Sequence, residues 1–360
     1  MVTPQFFPHQ GGVESHVWEV ARRLIHQHRF ELEVLTTNPG GLPAREIVDG
    51  IRVRRVAAWP RRGDLFFSPA IYRAIRRSRV DLLHCQSYHT LVPPLALSAA
   101  RHADLPYVVT IHSGGHSSRL RTAIRPLQAL LLRPLLSAAS ALIAVSEYEA
   151  QLFARRLRLP TESFTVIRNG ADLPASAARA DDTVTARPPL IVSVGRLERY
   201  KGHHRLIEAL PIIRRTHPEV RLLILGQGPH ASSLQRLAYR KGVSDGVDIT
   251  SAPRREVQHV LRQASVVALM SEYESQGLAA FEALALGIPL VVADSSALSE
   301  LVGLEQVVGV DQRASAQALA ERLTEQIDAP ALGQTELALP TWDECAAQLA
   351  DVYRKVVGAQ

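Results

Sequence analysis

Apolar positions along the chain follow two periods in alternation. Short runs rich in β-branched residues predict strands: LEVLTT (32–37), IRVRRV (51–56), DLLHCQ (81–86), YVVTIH (107–112), ALIAVS (141–146) and FTVIRN (164–169). Helical spacing separates several of them, as in VESHVWEVARRLIHQH (13–28) and SPAIYRAIRRSR (68–79). Strands alternating with helices predict an α/β protein, a parallel sheet with helices on both faces. The pattern stops after Asp172, where LPASAARADDTVTARPP (173–189) carries no usable period and predicts a linker. A second series follows, with LIVSVGR (190–196), VRLLILG (220–226), VVALMS (266–271) and PLVVAD (289–294) as strands. The closing segment TWDECAAQLADVYRKVV (341–357) predicts a helix with Thr341 as its N-cap. Two doubly wound domains are therefore expected, over residues 1–172 and 190–335, facing each other across a cleft. Open parallel sheets bind ligands at the carboxyl ends of their strands, so functional residues should fall just after strands.

Composition narrows this picture. The 360 residues are 46 % hydrophobic and 21 % charged, which sets aside disordered, collagen-like and coiled-coil readings. Cys85 and Cys345 stand alone with no CxxC spacing, so neither a disulfide scaffold nor a structural zinc site is expected, and a reducing compartment fits. Residues 1–172 carry 22 Arg and Lys against 13 Asp and Glu, while 173–360 carry 19 against 22. A basic first half reads first as a solvated surface, and otherwise suits anionic small molecules or an anionic membrane surface. The arginines are dispersed, with no aromatic-studded basic ribbon and no zinc-finger spacing, so no nucleic-acid partner is expected. Two windows test for a membrane span. Residues 82–100 lack formal charge but contain two histidines and Pro93-Pro94, and 127–145 is broken by Arg133-Pro134. Met1 leads at once into Pro4, Gln5 and Pro8 with no signal-peptide pattern. The expectation is a cytoplasmic protein, at most peripheral to the inner membrane face.

Candidate chemistry lies where strands end. In SEYESQGLAAFEALALG (271–287), Glu274 precedes a helix and Glu282 lies about one turn inside it, with Gln276, Gly277 and Leu278 between. Two carboxylates there can accept from sugar hydroxyls while backbone N–H groups meet an anion, though an isolated pair also reads as a cap and a wet-face residue. In SVGRLERYKGHH (193–204), Arg196 follows a strand, and Lys201, one of three lysines in the chain, precedes Gly202 at a helix start. A guanidinium fork and a lysine point charge suit a pyrophosphate, while either alone reads as a solvated turn. Gly11-Gly12 before a helix allows close approach of a ligand. His112 ends the run VVTIH before Ser113-Gly114-Gly115, and His84 is similarly placed but reads better as a core hydrogen-bonding residue.

Taken together, these residues resemble a retaining GT-B glycosyltransferase of family 4 (glycosyl transferases group 1) over essentially the whole chain. Glu274 and Glu282 match the Glu-x7-Glu motif, Gly195-Arg196 with Lys201-Gly202 the GR...KG element, FFPHQGGVESHV the N-terminal glycine loop, and TIHS the strand-end histidine. GQGP (226–229), which contains Gly228, RNGAD (168–172) and TWDECAAQLADVY also fit. The resemblance implies two Rossmann-like domains and transfer of a hexose from a nucleotide-diphosphate sugar, UDP favoured and GDP-mannose next, to an acceptor hydroxyl. It implies Arg196 and Lys201 on the diphosphate, Glu282 on the ribose, and Glu274 and His112 on the sugar. Gly11, Gly12, Gly228, Gln276, Gly277 and Leu278 would line the donor, and the last helix would return to the first domain. No DxD occurs, so no metal and no cofactor are expected. Partners would be the donor and an acceptor that is a lipid-linked glycan, a polysaccharide or a small metabolite. Two departures stand out: only Met1-Val2-Thr3 precede the glycine loop where the family has a full strand, and Gln276 occupies an often aromatic position. The competing readings are a sugar-nucleotide epimerase or hydrolase on this fold, and a non-catalytic anion or membrane-surface module using RLRTAIRPLQALLLRP (119–134).

Overall fold

The computed structural model describes residues 1–9, 11–38, 40–60, 66–88, 90–112, 119–171, 188–330 and 339–359, except for the side chains at 119–126 and 254–255. All but the last two positions of the expected linker lie outside the described residues. Chain order begins α1 (Gly12–His26), β1 (Glu33–Asn38), β2 (Arg45–Val48), β3 (Ile51–Ala57), α2 (Pro69–Arg76), β4 (Leu83–Gln86) and α3 (Val92–His102). It continues β5 (Tyr107–Ile111), α4 (Arg119–Leu136), β6 (Ala141–Ala144), α5 (Glu147–Leu157) and β7 (Phe164–Val166). After the linker come β8 (Leu190–Val194), α6 (His203–Ile213), β9 (Arg221–Leu225), α7 (Ala231–Arg240), β10 (Val247–Thr250) and α8 (Arg254–Leu261). The chain ends with β11 (Val266–Leu269), α9 (Leu278–Ala285), β12 (Leu290–Asp294), β13 (Val307–Asp311), α10 (Ala316–Asp328) and α11 (Trp342–Gly358). Two compact units result: one runs to Gly170 and takes in the chain again from Pro340, the other is Ala171–Leu339.

In the first unit, β1 pairs with β3 in parallel and β2 with β3 antiparallel, while β4-β5-β6-β7 form a parallel sheet. Residues Met1–Thr3 join these sheets. Val2 makes parallel bridges to Leu35 and Cys85, its N–H donates to His84 O at 2.8 Å, and Gln86 N–H donates to Val2 O at 2.8 Å. Three residues thus do the work of a central strand, because backbone groups of Met1 and Thr3 pair with β1 and those of Val2 with β4. One apolar cluster draws together Ile71 of α2, Leu97 of α3, Leu132 of α4 and Phe153 of α5 beneath β4 and β5. On α11, Thr341 and Glu344 form a reciprocal capping box, Trp342 is buried, and the helix packs against α1. Cys85 and Cys345 are free, and burial pushes both thiols up to about 12, which leaves them inert.

In the second unit a six-stranded parallel sheet runs β10-β9-β8-β11-β12-β13. From β8 the chain steps to β9 and β10 on one side, then crosses to β11, β12 and β13 on the other. The order reverses between β8 and β11, which opens a crevice at their carboxyl ends. Apolar clusters cover both faces, one with α6, α7 and α10, the other with α8 and α9. Strands β2, β10 and β13, which periodicity did not predict, are edge strands, and in β2 and β10 the side chains alternate between exposed and half-buried.

Candidate functional site

The reversal between β8 and β11 places Arg196, Lys201 and Glu274 together. Gly195 and Arg196 directly follow β8, and Lys201 closes a short 3₁₀ turn before α6. Gly202 has φ 73°, and a Cβ there would run into Met270 O just beyond β11, so only glycine brings this turn against its neighbour. Glu272 N–H then donates to Tyr200 O at 2.7 Å, joining the two loops.

Charge is concentrated at that junction. Lys201 Nζ meets Glu274 Oε1 at 2.5 Å, with the side chains 13 % and 15 % exposed. Ser271 Oγ donates to the same oxygen at 2.8 Å, and Glu274 N–H donates to Ser296 Oγ at 2.8 Å. Ser295 Oγ in turn donates to Ser271 O at 2.8 Å. Arg196 is exposed, and its Nη2 donates to the Tyr200 hydroxyl at 2.8 Å while Lys201 Nζ lies 5.5 Å from that ring's centroid. Behind them His203, buried on Ser193 Oγ at 3.0 Å, has its pKa lowered to about 4, first by burial and then by the Lys201 charge. It is neutral at pH 7, so the site's positive charge belongs to Arg196 and Lys201.

The remaining donor-side candidates follow the same loops. Gln276 is buried, Gly277 caps α9 with φ 89°, Leu278 is its first residue, and Glu282 lies one turn in and is buried. Gly228 stands so close to the β8 loop that a Cβ would meet Leu197 O. Among the described residues no group of three or more His, Cys, Asp or Glu is placed to hold a metal ion.

His112, Gly11 and Gly12 belong to the first unit. His112 follows β5, is buried, and shares a 2.8 Å hydrogen bond between its Nε2 and Gln86 Oε1. Since the amide oxygen only accepts, Nε2 carries the proton. The His16 ring meets His112 edge-on with centroids 4.6 Å apart, and His16 Nδ1 pairs with Asn169 Oδ1 at 2.6 Å. His84 pairs through Nδ1 with the Tyr353 hydroxyl of α11 and through Nε2 with Thr110 Oγ1 at 2.8 Å, and Gln86 Nε2 lies 3.3 Å from His84 Nδ1. Burial lowers the pKa of His16 to about 4 and that of His84 well below its ordinary value, so both are neutral at pH 7. Gly11 is the N-cap of α1 and Gly12 its first residue, and the Glu14 carboxylate lies over Gly11 where a side chain would stand.

Ser271, Ser296, Tyr200, Gln86, His16 and Asn169 were not singled out by sequence reasoning. Gln86 was within reach of it: His84 and Gln86 on β4 share one face by period two, as do Thr110 and His112, and Gln86 pairs in register with Thr110. His16 and Asn169 lie 153 positions apart, and no local pattern links them.

Comparisons with known proteins give the family and the fold. Residues 177–335 match the model described as Glycosyl transferases group 1, and residues 10–174 that described as Glycosyltransferase Family 4. The chain is 28 % identical over 379 residues to the GDP-mannose-dependent alpha-(1-6)-phosphatidylinositol monomannoside mannosyltransferase of Mycobacterium tuberculosis, covering 98 % of this chain and 97 % of that one. It is 30 % identical over 387 residues to the D-inositol 3-phosphate glycosyltransferase of Xylanimonas cellulosilytica, covering 95 % and 91 %. Sucrose-phosphate synthase from Thermosynechococcus elongatus superposes with a TM-score of 0.81 at 22 % identity, covering 97 % of this chain and 94 % of that one.

Proposed function

The chain belongs to the glycosyl transferases group 1, family 4, with the GT-B fold of two Rossmann-like domains, and from that premise we propose the reaction it runs. A hexose moves from a nucleoside diphosphate to an acceptor hydroxyl with retention at the anomeric carbon and without a metal ion. The bond from the anomeric carbon to the diphosphate oxygen breaks, a bond to the acceptor oxygen forms, and the acceptor proton passes to the departing phosphate. The observation that carries this reading is the Lys201–Glu274 pair at the sheet's reversal point, a cation for diphosphate beside a carboxylate for hydroxyls. Arg196 and Lys201 neutralise the charge that grows on the leaving group. Glu274 accepts from the transferred sugar, Glu282 from the ribose, and His112 contacts the sugar. Gly228, Gln276, Gly277 and Leu278 line the donor, with Gly11 and Gly12 presenting backbone from the first unit.

The test is turnover of labelled UDP- and GDP-hexoses, with and without lipid-linked, polymeric and small polyol acceptors, in EDTA. The expected outcome is nucleotide release that depends on acceptor and survives EDTA, with an α-linked product from an α-linked donor. Lys201→Ala and Glu274→Ala should each lower turnover by about 10²–10³-fold in a folded protein. Hexose release without acceptor would favour a hydrolase instead, and wild-type turnover by both variants would sink the reading.

A separate observation bears on where the acceptor is met. On α4, Leu127, Leu130 and Leu131 are 57 %, 50 % and 70 % exposed and form a stripe at helical spacing. Arg101 is exposed on α3, which packs against α4, and Arg73, Arg76 and Arg77 are exposed on α2 and its C-cap, which packs against α3. Among the described residues no helix is long and apolar enough to cross a membrane. Leucines that insert and arginines that attract are the two signals peripheral binding to anionic lipid requires. The first unit is accordingly read as resting on an anionic bilayer. Flotation with phosphatidylglycerol vesicles should carry the wild type, and Leu130→Ser with Leu131→Ser should release it. Equal flotation of both proteins would refute the contact.

A further inference from the structure

The site's most buried cation is neutralised from within, because Lys201 Nζ is held by Glu274 Oε1. Resting on the donor reading above, we infer that this pair is an exchange switch that lets the site tell an intact nucleotide sugar from the spent nucleotide. The inference follows from counting partners. A nucleoside diphosphate alone draws Lys201 to its phosphates and leaves the Glu274 carboxylate, mostly buried, without its cation and beside new negative charge. An intact donor draws Lys201 in the same way but brings sugar hydroxyls, which donate to the oxygen Lys201 has left. Only the second ligand re-pairs both groups.

Ser271 makes the exchange orderly. Its buried hydroxyl donates to the same Oε1 as Lys201, and Ser296 Oγ accepts from the Glu274 N–H. The carboxylate therefore stays in place when the ammonium departs, and Ser271 acts as a positioning residue. Once the hexose has been transferred, Glu274 loses its hydroxyl partners and reclaims Lys201, which loosens the diphosphate. The site thus resists inhibition by its own product through two residues that also bind its substrate.

Calorimetric titration of UDP, GDP and the corresponding nucleotide hexoses into wild type, Glu274→Gln, Lys201→Met and the double variant tests this. Glu274→Gln should tighten binding of the bare nucleoside diphosphate on the order of ten-fold and collapse the preference for the intact donor. In the Lys201→Met background the same change should tighten it much less, since no pair remains to be broken. Equal tightening in both backgrounds would mean simple relief of repulsion and would overturn the exchange, as would no tightening at all. Ser271→Ala should raise the donor KM more than it lowers kcat, and an unchanged KM would remove Ser271 from the device. If the wild type bound no nucleotide of either kind, the donor reading itself would fall, and the exchange with it. Binding by the wild type without the Glu274→Gln effect would overturn the exchange alone.

Discussion

The two units solve the problem of positioning polar groups in opposite ways. In the second, an ion pair sits at the end of a sheet, built from two loops that a glycine without a Cβ allows to touch. In the first, the chain Tyr353–His84–Gln86–His112 with His16 and Asn169 is buried and contains no carboxylate among its named members, and its His16 and His84 rings are neutral at pH 7. Charge stands where a charged ligand would be exchanged, and neutral hydrogen bonds stand where a geometry must be kept. A buried neutral network costs less desolvation than a buried pair, but each member depends on its neighbour's protonation state.

Acid should break that contrast most strongly. His16 in the first unit and His203 in the second are both held near pKa 4 against an ordinary 6.5. Because the folded value lies below the unfolded one, the stabilisation is complete above pH 6.5 and is lost as pH falls toward 4. The loss is roughly 3 kcal/mol for each group by the lower limit. His84, shifted in the same direction, adds to the first unit. Chemical denaturation between pH 7.5 and 4 should show a steep decline, and a flat profile would mean these rings are not neutral and buried.

Removing the helix that closes the first network comes next. Trp342 is almost fully buried at the start of α11, with its ring 6.1 Å from that of His16. Trp342→Ala should cost about 3–5 kcal/mol, read as a fall in the thermal unfolding midpoint. Retained nucleotide affinity in the same variant would sharpen the comparison by showing that the second unit's site does not lean on this packing.

These two regions were also unequally legible in the sequence. The donor-side residues could be read because sheet topology puts them directly after strands, within short segments such as GRLERYKG and SEYESQGL. The α11 capping box was likewise local, Thr341 and Glu344 being three apart. The network of the first unit was not legible as a whole, since its bonds span 269 positions from His84 to Tyr353 and 153 from His16 to Asn169. Only tertiary packing brings such groups together. Strands β2, β10, β13 and the Met1–Thr3 strand were missed for a related reason: runs of three to five residues are too short to show a period.

A smaller effect probes how the first network serves catalysis. Gln86→Leu removes the acceptor that fixes the proton of His112 on Nε2. Under the proposed contact of His112 with the sugar, kcat should fall about ten-fold while binding of the bare nucleoside diphosphate stays unchanged. Gln86→Glu keeps an acceptor at that place but adds charge, so it should restore rate and move the pH profile of kcat upward. A loss in both variants with no pH shift would assign Gln86 to stability alone.

The smallest effect is expected at Asp343, and its smallness is informative. Its carboxylate takes a 2.5 Å bond from Arg23 Nε, and that hydrogen bond, followed by one from Gln27, holds its pKa below the usual value. The contribution to stability is present above the unfolded pKa and fades as pH falls through the folded one. Asp343 is 65 % exposed, however, and Arg23 keeps a second carboxylate in the buried Glu19 on its own helix. Asp343→Ala should therefore lower stability by less than about 1 kcal/mol, checked by denaturant titration at pH 7. Glu19→Ala should cost more than this, because it strips the buried side of the same arginine and leaves only a solvent-screened partner. A larger loss at Asp343 than at Glu19 would mean that α11 is fastened to α1 by its charged rim, not by the packing of Trp342.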